Sequence, residues 1–223
     1  MIMTLKRNAP AALQGMRRAA SRWRIVGLVA AAALCNSVAA FAQVTRPDDL
    51  IEKLSTEILA DIKADAAIQS GDVGTVLGLV ESKIMPHVDA RRMTASAVGR
   101  YWRQASPDQQ SRLQDEFTRL VIRTYAGALT QVKDQTIRVK PLRSAPADLQ
   151  VVVKTEVRGR GDPVQLDYRL IKTPAGWKIY DVNVLGVWLM QNYRSSFAHS
   201  IGQGGIDALI AELVTKNLPQ DKR

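Results

Sequence analysis

Few side chains in this sequence could carry acid–base, nucleophilic or metal chemistry. Cys35 is the only cysteine, and His87 and His199 are the only histidines, neither with a second ligand at metal spacing. No serine occupies a nucleophile-elbow pattern. Two aspartates lie within predicted strands, Asp167 and Asp181. The candidates are therefore isolated carboxylates and not a recognisable catalytic constellation.

Asp181 and Arg194 are the charged residues that the sequence pattern predicts to be buried. Asp181 shares its strand face with Trp177 and Ile179, and Arg194 lies at the edge of the apolar arc of a helix. An inward aspartate could be a general base in an apolar pocket or half of an ion pair. A buried arginine needs a carboxylate or an anionic ligand such as a headgroup phosphate. The pattern favours an Asp181–Arg194 ion pair, and strand alternation predicts that Asp167 faces solvent.

The elements that would position these residues lie after residue 135, where the apolar period changes from 3.6 to 2. Apolar residues that alternate with polar or charged ones predict four antiparallel strands, with turns at 158–163 and 174–176. The last strand is apolar on both faces and passes at Gly186 into an amphipathic helix. A second helix follows the glycine-rich run at 202–205. We expect one twisted sheet followed by two C-terminal helices.

Helical periodicity fills the chain between residues 47 and 132. Pro47 opens a first helix, Gly71 ends it, and Pro86 stops a second. Asp89 begins a third, and SPDQ at 106–109 is a capping box that begins a long fourth. The fourth helix is apolar on two sides, which suits either a cavity wall or a central core helix. The pattern predicts a single α+β domain with an N-terminal helical layer wrapped on a four-stranded antiparallel sheet.

The first 42 residues have the features of a secretory leader. They contain six basic residues and no acid, then the apolar run IVGLVAAAALC and the site Ala40-Phe41-Ala42. We expect a cleaved signal peptide over 1–42 and a mature domain over 43–223, without a lipid on Cys35 because Leu34 precedes it. Cleavage removes six of the 31 basic residues, and the remaining 25 exceed the 21 acids by only four. This charge does not favour nucleic-acid binding.

Several motifs together resemble the MlaC family of periplasmic phospholipid-binding proteins, also called the toluene-tolerance family. The resemblance covers residues 48–218 and depends on the order and spacing of the motifs. They are YW at 101–102, SPDQQSRLQDEF at 106–117, TY at 124–125, DYRL at 167–170, GWKIYDV at 176–182, NYRSSF at 192–197 and GIDALI at 205–210. The chain departs from the family with LGVW at 185–188, where relatives often carry an acid.

The resemblance implies a cone of helices and sheet, similar to the NTF2 fold, around an apolar cavity for acyl chains. It implies a soluble periplasmic carrier that maintains outer-membrane lipid asymmetry, with no cofactor and no enzymatic activity. The implied partners are an outer-membrane lipoprotein and porin complex and an inner-membrane ABC transporter with its MCE-domain subunit. We expect the carrier to be a monomer.

A diacyl lipid would need a cavity of roughly 1,000 Å³, near the upper end of ordinary ligand pockets. The predicted wall residues, each of which would also serve as ordinary core, are Val98, Tyr101, Phe117, Val121, Tyr125, Val139, Val151, Val153, Leu166, Tyr168, Ile179, Leu189 and Tyr193. The alternative function is a small enzyme of similar fold with Asp181 as its base. It predicts a small dry pocket and a raised Asp181 pKa, whereas a carrier predicts a large pocket and a paired aspartate.

Overall fold

The computed structural model describes residues 45–145 and 147–218, and the predicted signal peptide with Cys35 lies outside these residues. The first half is helical. Its helices are α1 (Pro47–Ala64), α2 (Ala66–Gln69), α3 (Val73–Leu79), α4 (Ala90–Val98) and α5 (Pro107–Leu129). Between α3 and α4 the chain forms a π turn, Val80–Ile84, and a 3₁₀ turn, Met85–His87. A further 3₁₀ turn, Gly99–Arg103, follows α4.

Side-chain caps mark the starts of α4 and α5, as the sequence predicts, whereas α1 begins at Pro47 without a side-chain cap. The predicted capping box is present: Ser106 Oγ accepts from the Gln109 amide at 3.2 Å, and Gln109 Oε1 accepts from the Ser106 amide at 3.0 Å. Asp89 caps α4 by accepting from the Arg92 amide at 2.9 Å. Each cap satisfies amide groups that have no partner within their own helix.

The second half forms a sheet in which every neighbouring pair of strands is antiparallel. Its strands are β1 (Thr136–Val139), β2 (Gln150–Val153), β3 (Thr155–Arg158), β4 (Val164–Thr173), β5 (Gly176–Val184) and β6 (Val187–Trp188). They lie in the order β1–β3–β4–β5–β6, and β2 pairs with the other end of β4. The predicted α+β class is confirmed, but the predicted count of four strands is wrong. The second predicted strand is interrupted at Lys154, and β6 adds a further short strand.

The connection from sheet to final helix is a tight turn at Leu185 and Gly186, both with positive φ, of 54° and 89°. Asn183 Oδ1 accepts from the Gly186 amide at 2.8 Å and holds this turn. The chain then pairs back on β5 as β6 before α6 (Leu189–Asn217) begins. Gly204 and Gly205 interrupt α6 with non-helical backbone, so its two halves correspond to the two predicted C-terminal helices.

Two apolar clusters hold the layers together. In the first, Ile51, Ile58 and Ile62 of α1 pack with Val153 of β2 and Leu170 of β4. The second joins α4, α5 and α6, and its central buried residues are Val98, Leu113, Phe117, Phe197 and Leu209. Within residues 45–145 and 147–218, no helix has the length and apolar character needed to span a bilayer. A cavity lies between the two clusters.

Candidate functional site

The cavity has a volume of about 350 Å³ and is enclosed by α5, strands β4 and β5, and the segment from Val80 to Thr94. None of its lining residues is charged. They are Val80, Ile84, Met85, Val88, Ala90, Met93, Thr94, Phe117, Thr118, Val121, Ile122, Tyr125, Ala126, Ala128, Leu129, Leu166, Tyr168, Ile179, Val182, Val184 and Leu189. Such a surface solvates hydrocarbon and offers no partner to an ionised group.

The few polar groups of the lining are engaged locally or remain neutral. Thr94 donates its hydroxyl to the Ala90 carbonyl at 2.8 Å, within its own helix. Burial raises the pKa of Tyr168 to about 12, opposed by the nearby Ser55 side chain. Burial also raises the pKa of Tyr125. Both phenols therefore stay protonated at neutral pH, and the cavity keeps its uncharged lining.

Seven of the predicted wall residues line this cavity: Phe117, Val121, Tyr125, Leu166, Tyr168, Ile179 and Leu189. Six do not, for three different reasons. Val139, Val151 and Val153 belong to the cluster beneath α1. Val98 and Tyr101 line a separate cleft on the other side of α4. Tyr193 packs edge-on against Phe117, with ring centroids 4.9 Å apart.

Part of the helical side of the wall was missed by the sequence prediction, although its sequence signal was present. Val80 and Ile84 share the inward face of the second predicted helix, and Ile122 and Leu129 form the second apolar side of α5. On the sheet side, the missed residues are Val182 and Val184, in a strand that the sequence shows to be apolar on both faces. Met85 and Val88, which follow the π turn and precede α4, lie outside the predicted periodic segments.

The predicted cavity volume is wrong. The observed 350 Å³ lies near the lower end of ordinary ligand pockets, far below the roughly 1,000 Å³ expected for two acyl chains. The difference has a physical cause, because α1 lies across β2 and fills that side of the sheet with Ile51, Ile58 and Ile62. The sheet therefore contributes only part of its inner surface to the cavity.

Asp181 is buried, with 3% of its surface exposed, and does not line the cavity. Its Oδ2 accepts from Arg169 Nη1 at 3.0 Å, and its Oδ1 accepts from the amides of Val182 at 2.9 Å and Met190 at 3.1 Å. Burial raises the pKa of Asp181, opposed by the Met190 amide and Arg169. The carboxylate thus ties β5 to the start of α6.

The predicted Asp181–Arg194 ion pair is therefore wrong. Arg169 stands directly across from Asp181 in the β4–β5 register, so the cross-strand neighbour takes the position that the helix was expected to fill. Arg169 also stacks 3.7 Å from the centroid of Trp188. Arg194 instead donates through Nε and Nη2 to the Ser96 carbonyl, at 3.0 and 2.8 Å. It satisfies the C-terminal end of α4, a favourable place for a cation.

Asp167 is also placed differently from the prediction, because it is buried and 3% exposed. The interruption at Lys154 leaves the Thr155 amide without a strand partner, and Asp167 Oδ1 accepts from that amide at 3.1 Å. Gln165 Nε2 donates to Asp167 Oδ2 at 2.6 Å. Simple alternation could not predict this, because the irregularity between β2 and β3 creates the need for an acceptor.

An antiparallel sheet covered by helices around an uncharged apolar cavity defines a protein that binds apolar ligands. The sequence model of a family described as MlaC protein matches residues 52–215. The chain belongs to the MlaC family, which confirms the resemblance found in its motifs.

Two relatives, one with a solved structure and one a curated protein, are similar to this chain over most of their own length. A phospholipid-binding protein from Ralstonia solanacearum, solved in complex with a phospholipid, is 45% identical with a TM-score of 0.72, over 75% of this chain and 94% of that one. The toluene tolerance protein ttg2D of Pseudomonas putida is 27% identical over 162 residues, 72% of this chain and 75% of its own.

A third relative is the intermembrane phospholipid transport system binding protein MlaC of Haemophilus influenzae. It is 22% identical over 173 residues, which are 76% of this chain and 81% of its own. The described fold and the family agree on a lipid-binding architecture.

Proposed function

We propose that this protein is a phospholipid carrier whose cavity holds acyl chains while the headgroup stays outside. The observation that carries the proposal is a cavity wall without a single charged residue. A diacyl phospholipid has some thirty methylenes, and exposing them to water costs on the order of 20 kcal/mol at about 0.8 kcal/mol each. A lipid crosses an aqueous compartment only when such a surface shields its chains. The phospholipid-bound relative and the names of the curated relatives support the same function.

The proposed place of action is the periplasm, with residues 1–42 as the cleaved leader and 43–223 as the carrier domain. The basic and then apolar leader sequence and the name of the intermembrane transport relative support this location. The proposed partners are an outer-membrane lipoprotein and porin complex and an inner-membrane ABC transporter with its MCE-domain subunit. The protein would act as a monomer and maintain outer-membrane lipid asymmetry.

We propose no catalytic role for the chain. The raised pKa of Asp181 and the small volume of the cavity agree with the alternative enzyme, but both oxygens of this carboxylate accept hydrogen bonds from other residues. A general base must reach the proton of a bound substrate, and Asp181 is not among the cavity-lining residues. The geometry instead supports a structural anchor for the β5–α6 connection.

Because two acyl chains do not fit in 350 Å³, we infer that part of the wall moves when lipid enters. The segment Val80–His87 is the best candidate, since it is π-helical and 3₁₀ instead of α-helical. A surface cleft of about 420 Å³ lies outside it and shares four residues with the cavity lining, namely Met85, Ala90, Thr118 and Ile122. The wall between cavity and solvent is therefore thin here. Hydrogen exchange should change most over residues 80–88 when lipid is removed.

The decisive experiment is native mass spectrometry of the mature protein, purified without detergent, for the wild type and two aspartate variants. Leu166→Asp puts a carboxylate into the cavity, where it has no cation to pair with. The matched control is Val164→Asp on the same strand, at a residue that is 37% exposed. We expect the wild type and Val164→Asp to retain phospholipid and Leu166→Asp to lose it.

Circular dichroism and thermal unfolding of each variant separate loss of lipid from loss of fold. A folded Leu166→Asp protein that carries lipid at the wild-type level would refute the cavity as the binding site. Wild-type protein without any bound phospholipid, and without uptake from phosphatidylglycerol vesicles, would refute the carrier function itself.

A further inference from the structure

Five arginines line a single surface cleft of about 870 Å³ on the side of α4 that faces away from the apolar cavity. The cleft lies between α4, the Gly99–Arg103 turn and α6. Its one acidic residue is Asp89. The arginines are Arg91, Arg92, Arg100, Arg103 and Arg194. The carrier function described above assigns nothing to this cleft.

Two of these guanidinium groups are held in place by neutral side chains. Arg91 stacks over Trp102 at 5.2 Å from the ring centroid and donates to Gln110 Oε1 at 2.9 Å. Arg100 lies 4.8 Å from the Tyr101 ring centroid and donates to its hydroxyl at 2.8 Å. These contacts fix the positions of the cations and leave their charge uncompensated.

Carboxylates neutralise little of this charge. Among residues 45–145 and 147–218, only Arg92 of the five has a carboxylate within 4 Å, which is Asp89 at 3.7 Å. The other four cations share one concave surface, which concentrates the positive potential there. A planar guanidinium binds a carboxylate through two parallel hydrogen bonds, so several ordered arginines favour a ligand with several carboxylates.

We propose that this arginine cleft is the docking site for an acidic segment of a protein partner. The concave shape of the cleft favours a chain segment that inserts into it, because a bilayer surface is broad and would contact a convex face of the protein. Its composition agrees, since membrane-binding faces combine basic residues with exposed apolar anchors. Val98 in the cleft is 2% exposed, and the large exposed apolar residues of the described chain, such as Leu185 and Val187, lie outside the cleft. The cleft's two half-buried aromatic rings, Tyr101 and Trp102, lie beneath arginine side chains.

Docking and lipid binding use opposite sides of the same helix. Ala90, Met93 and Thr94 of α4 line the apolar cavity, whereas Arg91 and Arg92 line the arginine cleft. A variant of the cleft can therefore be made without touching the cavity wall, and each site can be tested while the other is monitored.

The test uses the mature protein and a fluorescein-labelled deca-glutamate peptide, followed by fluorescence anisotropy at low salt. The cleft variant is Arg91→Gln/Arg100→Gln/Arg103→Gln. The control is Arg138→Gln/Arg143→Gln/Arg160→Gln, which removes the same charge from exposed arginines outside the cleft. We expect the peptide to bind the wild type, at least about tenfold weaker binding to the cleft variant, and a change of less than about twofold for the control.

Equal weakening in both triple variants would overturn the proposal, because net charge alone would then explain binding. No binding of the peptide to the wild type would also overturn it. A third refuting outcome is loss of binding to phosphatidylglycerol vesicles in the cleft variant with peptide binding unchanged, which would identify a membrane site. Native mass spectrometry on the same samples keeps this test separate from the carrier function, since lipid content should be equal in all three proteins.

Discussion

The Asp181 anchor gives the sharpest test of how the sheet holds the final helix. Asp181→Ala leaves the buried Met190 amide and the Val182 amide without their acceptor, at about 1–3 kcal/mol for an unsatisfied buried group. Arg169 also loses its carboxylate, but its side chain is 35% exposed, so water recovers part of that interaction and roughly 1 kcal/mol is lost. We expect a total loss of about 4 kcal/mol.

Thermal and urea unfolding of the wild type and variant measure this loss. For a chain of this size about 4 kcal/mol corresponds to a melting temperature lowered by roughly 8–16 °C. A double-mutant cycle of Asp181→Ala with Arg169→Met should give a coupling energy of about 1–2 kcal/mol, and the same cycle with Arg194→Met should give a value near zero. A loss below about 1 kcal/mol, or a larger coupling to Arg194 than to Arg169, would refute the anchor.

Three further changes test the core, the cavity and the α6 break. Val153→Ala should cost about 2 kcal/mol without reducing lipid content in native mass spectrometry, because Val153 is fully buried beneath α1 and outside the cavity. Tyr168, whose folded pKa is raised from 10.0 to about 12, contributes stability below pH 10 that is lost as the pH rises through 12. Between pH 10 and pH 12 the free energy of unfolding, measured with urea, should therefore fall by up to roughly 2–3 kcal/mol less in Tyr168→Phe than in the wild type. Gly205→Ala should lower stability by about 1–3 kcal/mol in thermal unfolding, because Gly205 has φ of 76°.

For each of these three variants, one outcome would contradict the prediction. Lipid loss in folded Val153→Ala would place that residue in the binding site. Parallel alkaline unfolding curves for wild type and Tyr168→Phe would mean that the Tyr168 phenol is solvated. An unchanged melting temperature for Gly205→Ala would mean that the break in α6 does not require glycine.

The sequence predicts the fold well where one local signal determines each element. Ser106 and Gln109 mark the start of α5, and the change of period at residue 135 marks the start of the sheet. These signals depend only on residues a few positions apart, so the rest of the fold does not alter them. Strand count was less accurate, because the interruption at Lys154 depends on how β2 and β3 share one edge of β4.

The site was predicted only in part, because wall and core residues are chemically alike. Val153 and Leu166 both alternate inward along their strands, and only the position of α1 decides that Val153 is packed and Leu166 faces the cavity. The partner of Asp181 was missed for a related reason. Strand register brings Arg169 opposite Asp181, and register is a property of the assembled sheet.

Helix α4 links the two proposed sites, and its attachment explains why they can act independently. The Asp89 amide donates to the Ile179 carbonyl at 2.8 Å, and Val88 bridges to the same strand residue, so the start of α4 is fixed to β5. Its other end is held by Arg194 at the Ser96 carbonyl. Because α4 is attached at both ends, a change at one of its faces should move the other face little. We therefore propose that the cavity wall yields at Val80–His87, which precedes these attachments, so that lipid would enter there while the arginine cleft keeps its shape.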